Sequence, residues 1–368
     1  GPACAALMIA SATAIGIGVM VASFRVSVVD WLQTSLRADY YLSANFSLAQ
    51  SSIGIPVQTK DLLEDIPGIE ALSTVTRSRA MVDNGAGLST KARLSAFELN
   101  PKARKSFVFL DQRNFDWKRW RDHDALIITE PFAYHHDYRR NDKLYLNTPS
   151  GKREFTVLGV YKDYASEQGS LSMSRAVFEK YWPQQNYDGI GIYAGGSLSK
   201  RELGELMANS KRFDQLSLVS SSELLEQSLQ VFDRTFLVTN LLKVITIIVA
   251  FIGIFGALLA QQLERSHEYG IYRALGFSRA ELIRVVLTQT IAIGIAATAI
   301  AIPTGIGVAS ILINVINPRS FGWTMTQVIP AETLVNPALT AIIATLIAGI
   351  FPALRLAKIA PNTALRFE

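Results

Sequence analysis

The sequence predicts an integral membrane protein with four transmembrane α-helices, one followed by three, and a large extracytoplasmic α+β domain inserted between the first and second. Three observations predict it. Of 368 residues, 49% are hydrophobic and 18% charged, where a soluble domain carries about a quarter charged. The apolar residues collect in four uncharged runs, at 1–24, 244–263, 285–318 and 333–354. Each holds the roughly 20 residues that a helix rising about 1.5 Å per residue needs to cross the hydrocarbon core. Between the first two runs lies a stretch of ordinary globular composition, with 27 Lys/Arg against 26 Asp/Glu over residues 25–234. That near-neutral balance argues against a nucleic-acid surface.

The first run, 3–24, has neither the basic flank nor the short apolar core of a signal peptide, and no Met opens it. It reads as a transmembrane helix cut from a longer protein, with Gly1-Pro2 either native or an expression scar. Val28, Val29, Leu32 and Leu36 keep helical spacing and extend the span as a stalk, placing Trp31, Tyr40 and Tyr41 near the membrane interface.

In the polar stretch, 59–66 reads as a short helix closed by Pro67-Gly68, and 71–79 and 88–97 as strands joined by Asp83-Asn84-Gly85. Residues 125–129, 143–147 and 154–161 read as further strands, the last two as a hairpin turned at 148–151. Helices are expected over 174–182 and 199–210. From Ser221 or Ser222 as N-cap, Leu225, Leu229, Phe232 and Phe236 form one stripe, which predicts a single helix from the outer domain into the second span. In the third run Pro303, Gly305 and Gly307 predict a kink or a close helix contact, and 311–318 a bend along the outer surface.

Four arginines (Arg265, Arg273, Arg279, Arg284) separate the second and third runs, and Arg355, Lys358 and Arg366 follow the fourth. Arg319 alone lies between the third and fourth. The positive-inside rule places the 264–284 loop and the tail in the cytoplasm, hence the polar domain outside. The expected organisation is a first transmembrane helix and stalk at 1–40, the outer domain at 41–220, a stalk and second transmembrane helix at 221–263, the cytoplasmic loop at 264–284, a third transmembrane helix at 285–318, an outer loop at 319–332, a fourth transmembrane helix at 333–354 and a cytoplasmic tail at 355–368.

Enzymatic signatures are missing. The sequence has no G-x-x-x-x-G-K-[ST], no H-E-x-x-H, no G-x-S-x-G, and one cysteine, Cys4. The adjacent pair His135-His136 cannot converge on one ligand from a helix or a strand, and no metal site is expected. Trp117, Trp120 and Trp182 with Phe107, Phe109 and Phe115 are core candidates, or the lining of an apolar groove. The spans carry almost no ionisable residues, which argues against an ion-coupled carrier or channel and places the energy source on a partner.

The loop Gln261–Arg284 reads as a helix end broken near Gly276, then a helix capped by Ser278 with Glu281 at capping-box spacing. Its run Glu264-Arg265…Glu268-Tyr269-Gly270-Ile271-Tyr272-Arg273-Ala274-Leu275-Gly276 resembles the signature loop of the FtsX-like, MacB-like ABC transporter permeases. The ending Phe351-Pro352-Ala353…Arg355…Ala357…Ile359-Ala360-Pro361…Ala364-Leu365-Arg366 is similar to the ending of that family. The opening Met20-Val21-Ala22-Ser23-Phe24-Arg25 with Trp31-Leu32 resembles the start of the second, C-terminal permease module of longer duplicated members. In the outer domain the likeness is loose: Asn141-Asp142 stands where the family commonly has Gly-Asp.

The resemblance implies a permease subunit, without catalytic residues, whose ATP and Mg sit on a separate cytosolic ABC ATPase. It implies that Glu268, Gly270, Arg273, Ala274, Leu275 and Gly276 lie at or near the ATPase contact, and that Pro352, Arg355, Lys358 and Pro361 shape and anchor the end of the fourth span. The implied mechanism is mechanotransmission, moving the outer domain to export or extract a lipid, lipoprotein or hydrophobic compound at a bacterial inner membrane. The alternative from another class is a scaffold that activates an extracytoplasmic cell-wall hydrolase, and a third is a membrane-anchored sensor without an ATPase. Four spans are few for a full permease, so pairing with a second permease half or copy is expected, together with the lipid bilayer and a possible periplasmic partner.

Overall fold

In the computed structural model, which describes residues 2–44, 54–83, 89–110, 114–183, 185–196, 198–208, 213, 216–264, 268, 271–272 and 275–357, helix α1 runs unbroken over Pro2–Ser35. The chain divides into a helical unit (1–26, 232–316 and 325–368) and an outer-domain unit (27–231 and 317–324). Both α1 and α8 (Ser221–Glu264) contribute residues to each.

The helical unit is built on α9 (Arg279–Ile311). Small residues on α9 let two helices approach closely, as membrane helices require in the absence of a hydrophobic drive between them. Beside α1, a Cβ added at Gly305 would stand 2.7 Å from Ile15 Cβ and 2.8 Å from the Ala12 carbonyl. Beside α11 (Ala331–Ala357), a Cβ at Gly349 would stand 2.8 Å from Thr290 Cγ2, and one at Gly294 3.2 Å from Thr345 Oγ1. The Thr290 and Thr345 hydroxyls donate back to Val286 and Ala341 carbonyls at 2.8 and 2.6 Å, so neither carries an unmet polar group into this apolar layer. Of the two expectations for 303–307, the close contact is thus met at Gly305. Residues 311–318 do not leave the helix: a π-turn over Leu312–Ile316 passes directly into α10 (Asn317–Phe321).

By length and composition, α1, the helical stretch Arg279–Phe321, and α11 can cross a membrane. Helix α8, with 44 residues, spans roughly 66 Å, about twice the hydrocarbon thickness, and contains the uncharged run 244–263. Its predicted stripe is real: Leu225, Leu229, Phe232 and Phe236 are half-buried. Phe24 packs on Phe232 and Phe236 with centroids 5.4 and 5.8 Å apart, and Arg25 pairs with Asp233 at 3.1 Å. The N-cap lies one residue before the predicted pair: Ser220 Oγ accepts from the Glu223 amide at 3.2 Å while Glu223 accepts from the Ser220 amide at 3.1 Å.

The outer-domain unit carries one nine-stranded sheet. Its strands are β1 (Tyr40–Ala44), β2 (Ala71–Asp83), β3 (Ser89–Glu98), β4 (Ala125–Thr129), β5 (Lys143–Thr148), β6 (Gly151–Tyr161), β7 (Ser170–Ser174), β8 (Gly189–Tyr193) and β9 (Leu216–Ser220). The order β3-β7-β4-β6-β5-β2 closes on itself because β2 also pairs with β3, and β2 then continues into β8-β1-β9. The thirteen residues of β2 make this possible: 71–75 pair with β8, 74–83 with β3 and 81–83 with β5. Inside the closed ring sit Val82, Leu94, Leu126, Leu144, Phe155 and Met173. Helices α2 (Gln58–Glu64) and α7 (Lys200–Ala208) cover the β8-β1-β9 extension through Leu63, Leu203 and Met207.

Tyr40 and Tyr41 belong to β1, and burial pushes the Tyr41 hydroxyl up to about 12. Strands β1, β7, β8 and β9 were not foreseen. Of the aromatic core candidates, Trp120 and Trp182 are buried, Trp182 in the ring core, while Phe107, Phe109, Phe115 and Trp117 pack half-buried against Trp120 and Phe107 also lines a cleft, so both expectations are met in part. Asn84 and Gly85 of the predicted 83–85 turn lie outside the described residues.

Candidate functional site

Within the 264–284 loop, the described residues from Tyr272 to Glu281 form a tight stop-and-start turn. Gly276 has a φ of 99°, the left-handed region that ends helices at small cost only for glycine. Around it the Phe277 amide donates to the Tyr272 carbonyl at 3.1 Å, and the rings of Tyr272 and Phe277 meet at 5.4 Å. That bond and that apolar contact, spanning the glycine, are the marks of a Schellman stop. Ser278 then starts α9: its Oγ accepts from the Glu281 amide at 3.2 Å, and the Glu281 carboxylate accepts from the Ser278 amide at 2.7 Å. Both halves of the predicted capping box are present.

A stop and a start back to back leave no slack, and the turn holds its apolar side chains outward. Leu275 is 73% exposed, and Ile271, Tyr272 and Phe277 are exposed beside it. Glu268 is exposed as well. Of the residues singled out from sequence, Glu268, Leu275 and Gly276 are therefore accessible at or near this tip, while Gly270, Arg273 and Ala274 lie outside the described residues. Pro352 and Arg355 fall within α11, and Lys358 and Pro361 lie outside the described residues. Tyr272 and Phe277, which build the stop and extend its apolar face, were not singled out; the signal was an aromatic on each side of a loop glycine.

A second feature lies in the outer-domain unit, where residues 317–324 dock on α5 (Glu130–His136). Thr324 Oγ1 donates to Glu130 Oε1 at 2.8 Å, and the Tyr164 hydroxyl donates to the Thr324 carbonyl at 2.8 Å. Trp323 meets Tyr164 edge-on at 5.5 Å and stacks on Phe321 at 5.3 Å. Gly322, at a φ of 76°, brings the backbone so close that a Cβ there would stand 2.8 Å from Pro131 Cα. Glu130 is buried, its Oε2 has no hydrogen-bond partner, and burial pushes its carboxyl above the ordinary range against the opposing bonds from Thr324. A carboxyl raised in the folded state favours the protonated form, so its contribution to stability is complete below the unfolded pKa and is lost as pH rises through the folded one. Glu130→Gln is accordingly expected to flatten the fall in melting temperature on the alkaline side of the carboxylate range and to melt above the parent near neutrality; differential scanning calorimetry across pH 4 to 8 (about the range of raised carboxyl titrations) checks it.

Together these features define a class: a membrane protein with a large outer domain, long helices contributing to both units, and an exposed apolar turn between two spans. Residues 240–361 match the family described as FtsX-like permease C-terminal. Over all of its length the chain is 29% identical to an ABC transporter permease protein of Mycobacterium tuberculosis, of which it spans 43%. It is 23% identical over 230 residues to the macrolide export ATP-binding/permease protein MacB of Nitrosomonas europaea, covering 59% of this chain and 34% of that one. Among solved structures, the periplasmic region of MacB from Actinobacillus actinomycetemcomitans matches 53% of this chain and 94% of its own, at 11% identity and a TM-score of 0.41. The resemblance read from the loop and the tail therefore stands: the chain is similar to the FtsX-like ABC transporter permeases, and residues 240–361 match the model of their C-terminal region.

Proposed function

We propose that the chain is the permease part of an ABC transport system in a bacterial cytoplasmic membrane, with ATP hydrolysed by a separate cytosolic ATPase. The observation that carries this reading is the turn at 271–278. A rigid stop–start joint presenting Leu275, Ile271, Tyr272 and Phe277 to solvent is costly for a monomer in water and suited to the apolar socket of a partner. Movement of that joint is passed along α8, whose 44 residues reach into the outer-domain unit. The work done there is export or extraction of a lipid, lipoprotein or other hydrophobic compound, without passage of ions through the spans. Pairing with a second permease half or copy completes the translocating unit.

The test is ATP hydrolysis by the co-purified ATPase, read as vanadate-sensitive turnover. The double variant Arg273→Glu, Gly276→Pro is expected to abolish stimulation by the permease while leaving the outer domain folded. Undiminished stimulation overturns the assignment of the turn.

A further inference from the structure

The outer-domain unit holds a cleft of about 1100 Å³ that the account so far leaves unused. Its floor is the face of β2 and β3 that points away from the closed ring, and the strand register sets what lies along it. Val75 stands opposite Phe97, Arg77 opposite Ser95, and Arg79 directly opposite Arg93. On the other side of β2, Val75 and Ser73 face Gly189 and Gly191 of β8, which carry no side chain to fill the space. The face therefore changes along its length. One end is apolar, walled by Phe97, Phe107, Trp31 and Leu36, and the other is cationic. Four residues at roughly 3.3 Å each separate Val75 from Arg79, about 13 Å.

Like charges directly across an antiparallel pair destabilise a sheet. Arg79 and Arg93 hold that arrangement, with Arg77 two residues along the same face, and no ion pair among the described residues includes any of the three. The two acids in the cleft wall compensate the arginines only in part: Asp163 feels the charge of Arg93 without forming an ion pair with it, and both carboxylates are bonded to backbone amides. Asp188 accepts from the Arg77 backbone amide at 2.5 Å, and Asp163 from the Ala165 amide at 2.9 Å. Lys162 adds a fourth cation, so four positive groups face two negative ones. Arg79 and Arg93 also border a neighbouring cavity of about 820 Å³, where Lys91 adds positive charge and Glu167 the one acid, so the pair is reachable from two sides.

We propose that this cleft binds a phosphate-headed amphiphile, its phosphate held by Arg77, Arg79 and Arg93 and its hydrocarbon laid against Phe97 and Phe107. Planar guanidinium groups match phosphate oxygens two at a time, and an anion between Arg79 and Arg93 removes the repulsion that the empty strand pair carries. Binding rests on the cleft alone; that the bound amphiphile is cargo rests on the transport reading above.

The experiment is calorimetric titration of the full chain, in nanodiscs of zwitterionic lipid, with dihexanoyl phosphatidylglycerol. Dihexanoyl phosphatidylcholine, dibutanoyl phosphatidylglycerol and inorganic phosphate are the comparison ligands. The dihexanoyl anionic lipid is expected to bind about tenfold more tightly than its zwitterionic counterpart, and more tightly than the shorter chain. Arg79→Gln with Arg93→Gln is expected to lose that tenfold preference. The double variant relieves a like-charge pair, so its melting temperature is expected to hold or rise, which separates lost binding from lost fold. Equal binding of both headgroups, or an undiminished preference in the double variant, overturns the proposal. Inorganic phosphate binding as tightly as the lipid overturns the amphiphile and leaves a simple anion site. If binding behaves as expected while the Arg273, Gly276 variant still stimulates the ATPase, the transport reading fails and the cleft stands; the reverse result removes the cleft alone.

Discussion

Leu275→Asp is expected to release the cytosolic ATPase without unfolding the permease. Leu275 is the most exposed large apolar residue of the chain's described part, at 73%, and sits on a turn whose backbone is fixed independently by Gly276, Tyr272, Phe277 and Ser278. Its removal from that turn costs little, because surface changes away from packed features fall within about ±0.5 kcal/mol. Seated in a partner's pocket, a central apolar anchor is worth about 2 kcal/mol, and burying a carboxylate there adds a penalty. The expected result is a partner affinity weaker by at least about 30-fold with the melting temperature unchanged. Gly276→Val acts on the same contact by a different route. A Cβ there meets nothing within 4 Å, so the whole cost is backbone, about 1–2 kcal/mol for a left-handed residue, spent on misdirecting the tip. Both variants are read by affinity to the purified ATPase and by scanning calorimetry of the permease alone.

The second large effect is expected inside the helical unit. Gly305→Leu forces side-chain atoms into Ile15 and, more seriously, into the Ala12 carbonyl, which cannot rotate away. Overpacking of this kind costs about 1–3 kcal/mol and more where backbone must move. The variant should accumulate poorly and elute as aggregate. At Gly307, two residues on and exposed, an added Cβ meets nothing within 4 Å, so Gly307→Leu should behave as the parent. Fluorescence-detected size exclusion of the two side by side checks the prediction, and equal behaviour would contradict the α1–α9 contact.

What sequence reasoning reached, and what it missed, follows from whether a feature is local. The hairpin β5–β6 and strand β4 were legible because alternation or a continuous apolar run, Ala125 to Ile128 in β4, is written in neighbouring positions. So was the turn: a glycine, then Ser278 three residues before Glu281, specifies a stop and a start without reference to the rest of the chain. Strands β1, β7, β8 and β9 are five residues each, rich in serine, glycine or tyrosine, and become strands only by pairing with distant partners. The arginine pair was hidden for the same reason. Arg79 and Arg93 lie on different strands, and only the register of β2 against β3 sets them face to face. Glu130 was not singled out because Thr324, whose hydroxyl donates to it, follows 194 positions later.

Crosslinking from the tip of the 271–278 turn reads directly whether that turn is the ATPase contact. Cys4 is the single cysteine of these 368 residues, so Cys4→Ala with Leu275→Cys leaves them one thiol, at position 275, for a photoactivatable label on this chain in a membrane. The account predicts one major adduct, with a cytosolic chain that carries a P-loop, and loss of that adduct when Gly276→Val is added. An adduct with no nucleotide-binding chain, while the thiol still reacts with a water-soluble maleimide from the cytosolic side, would contradict it.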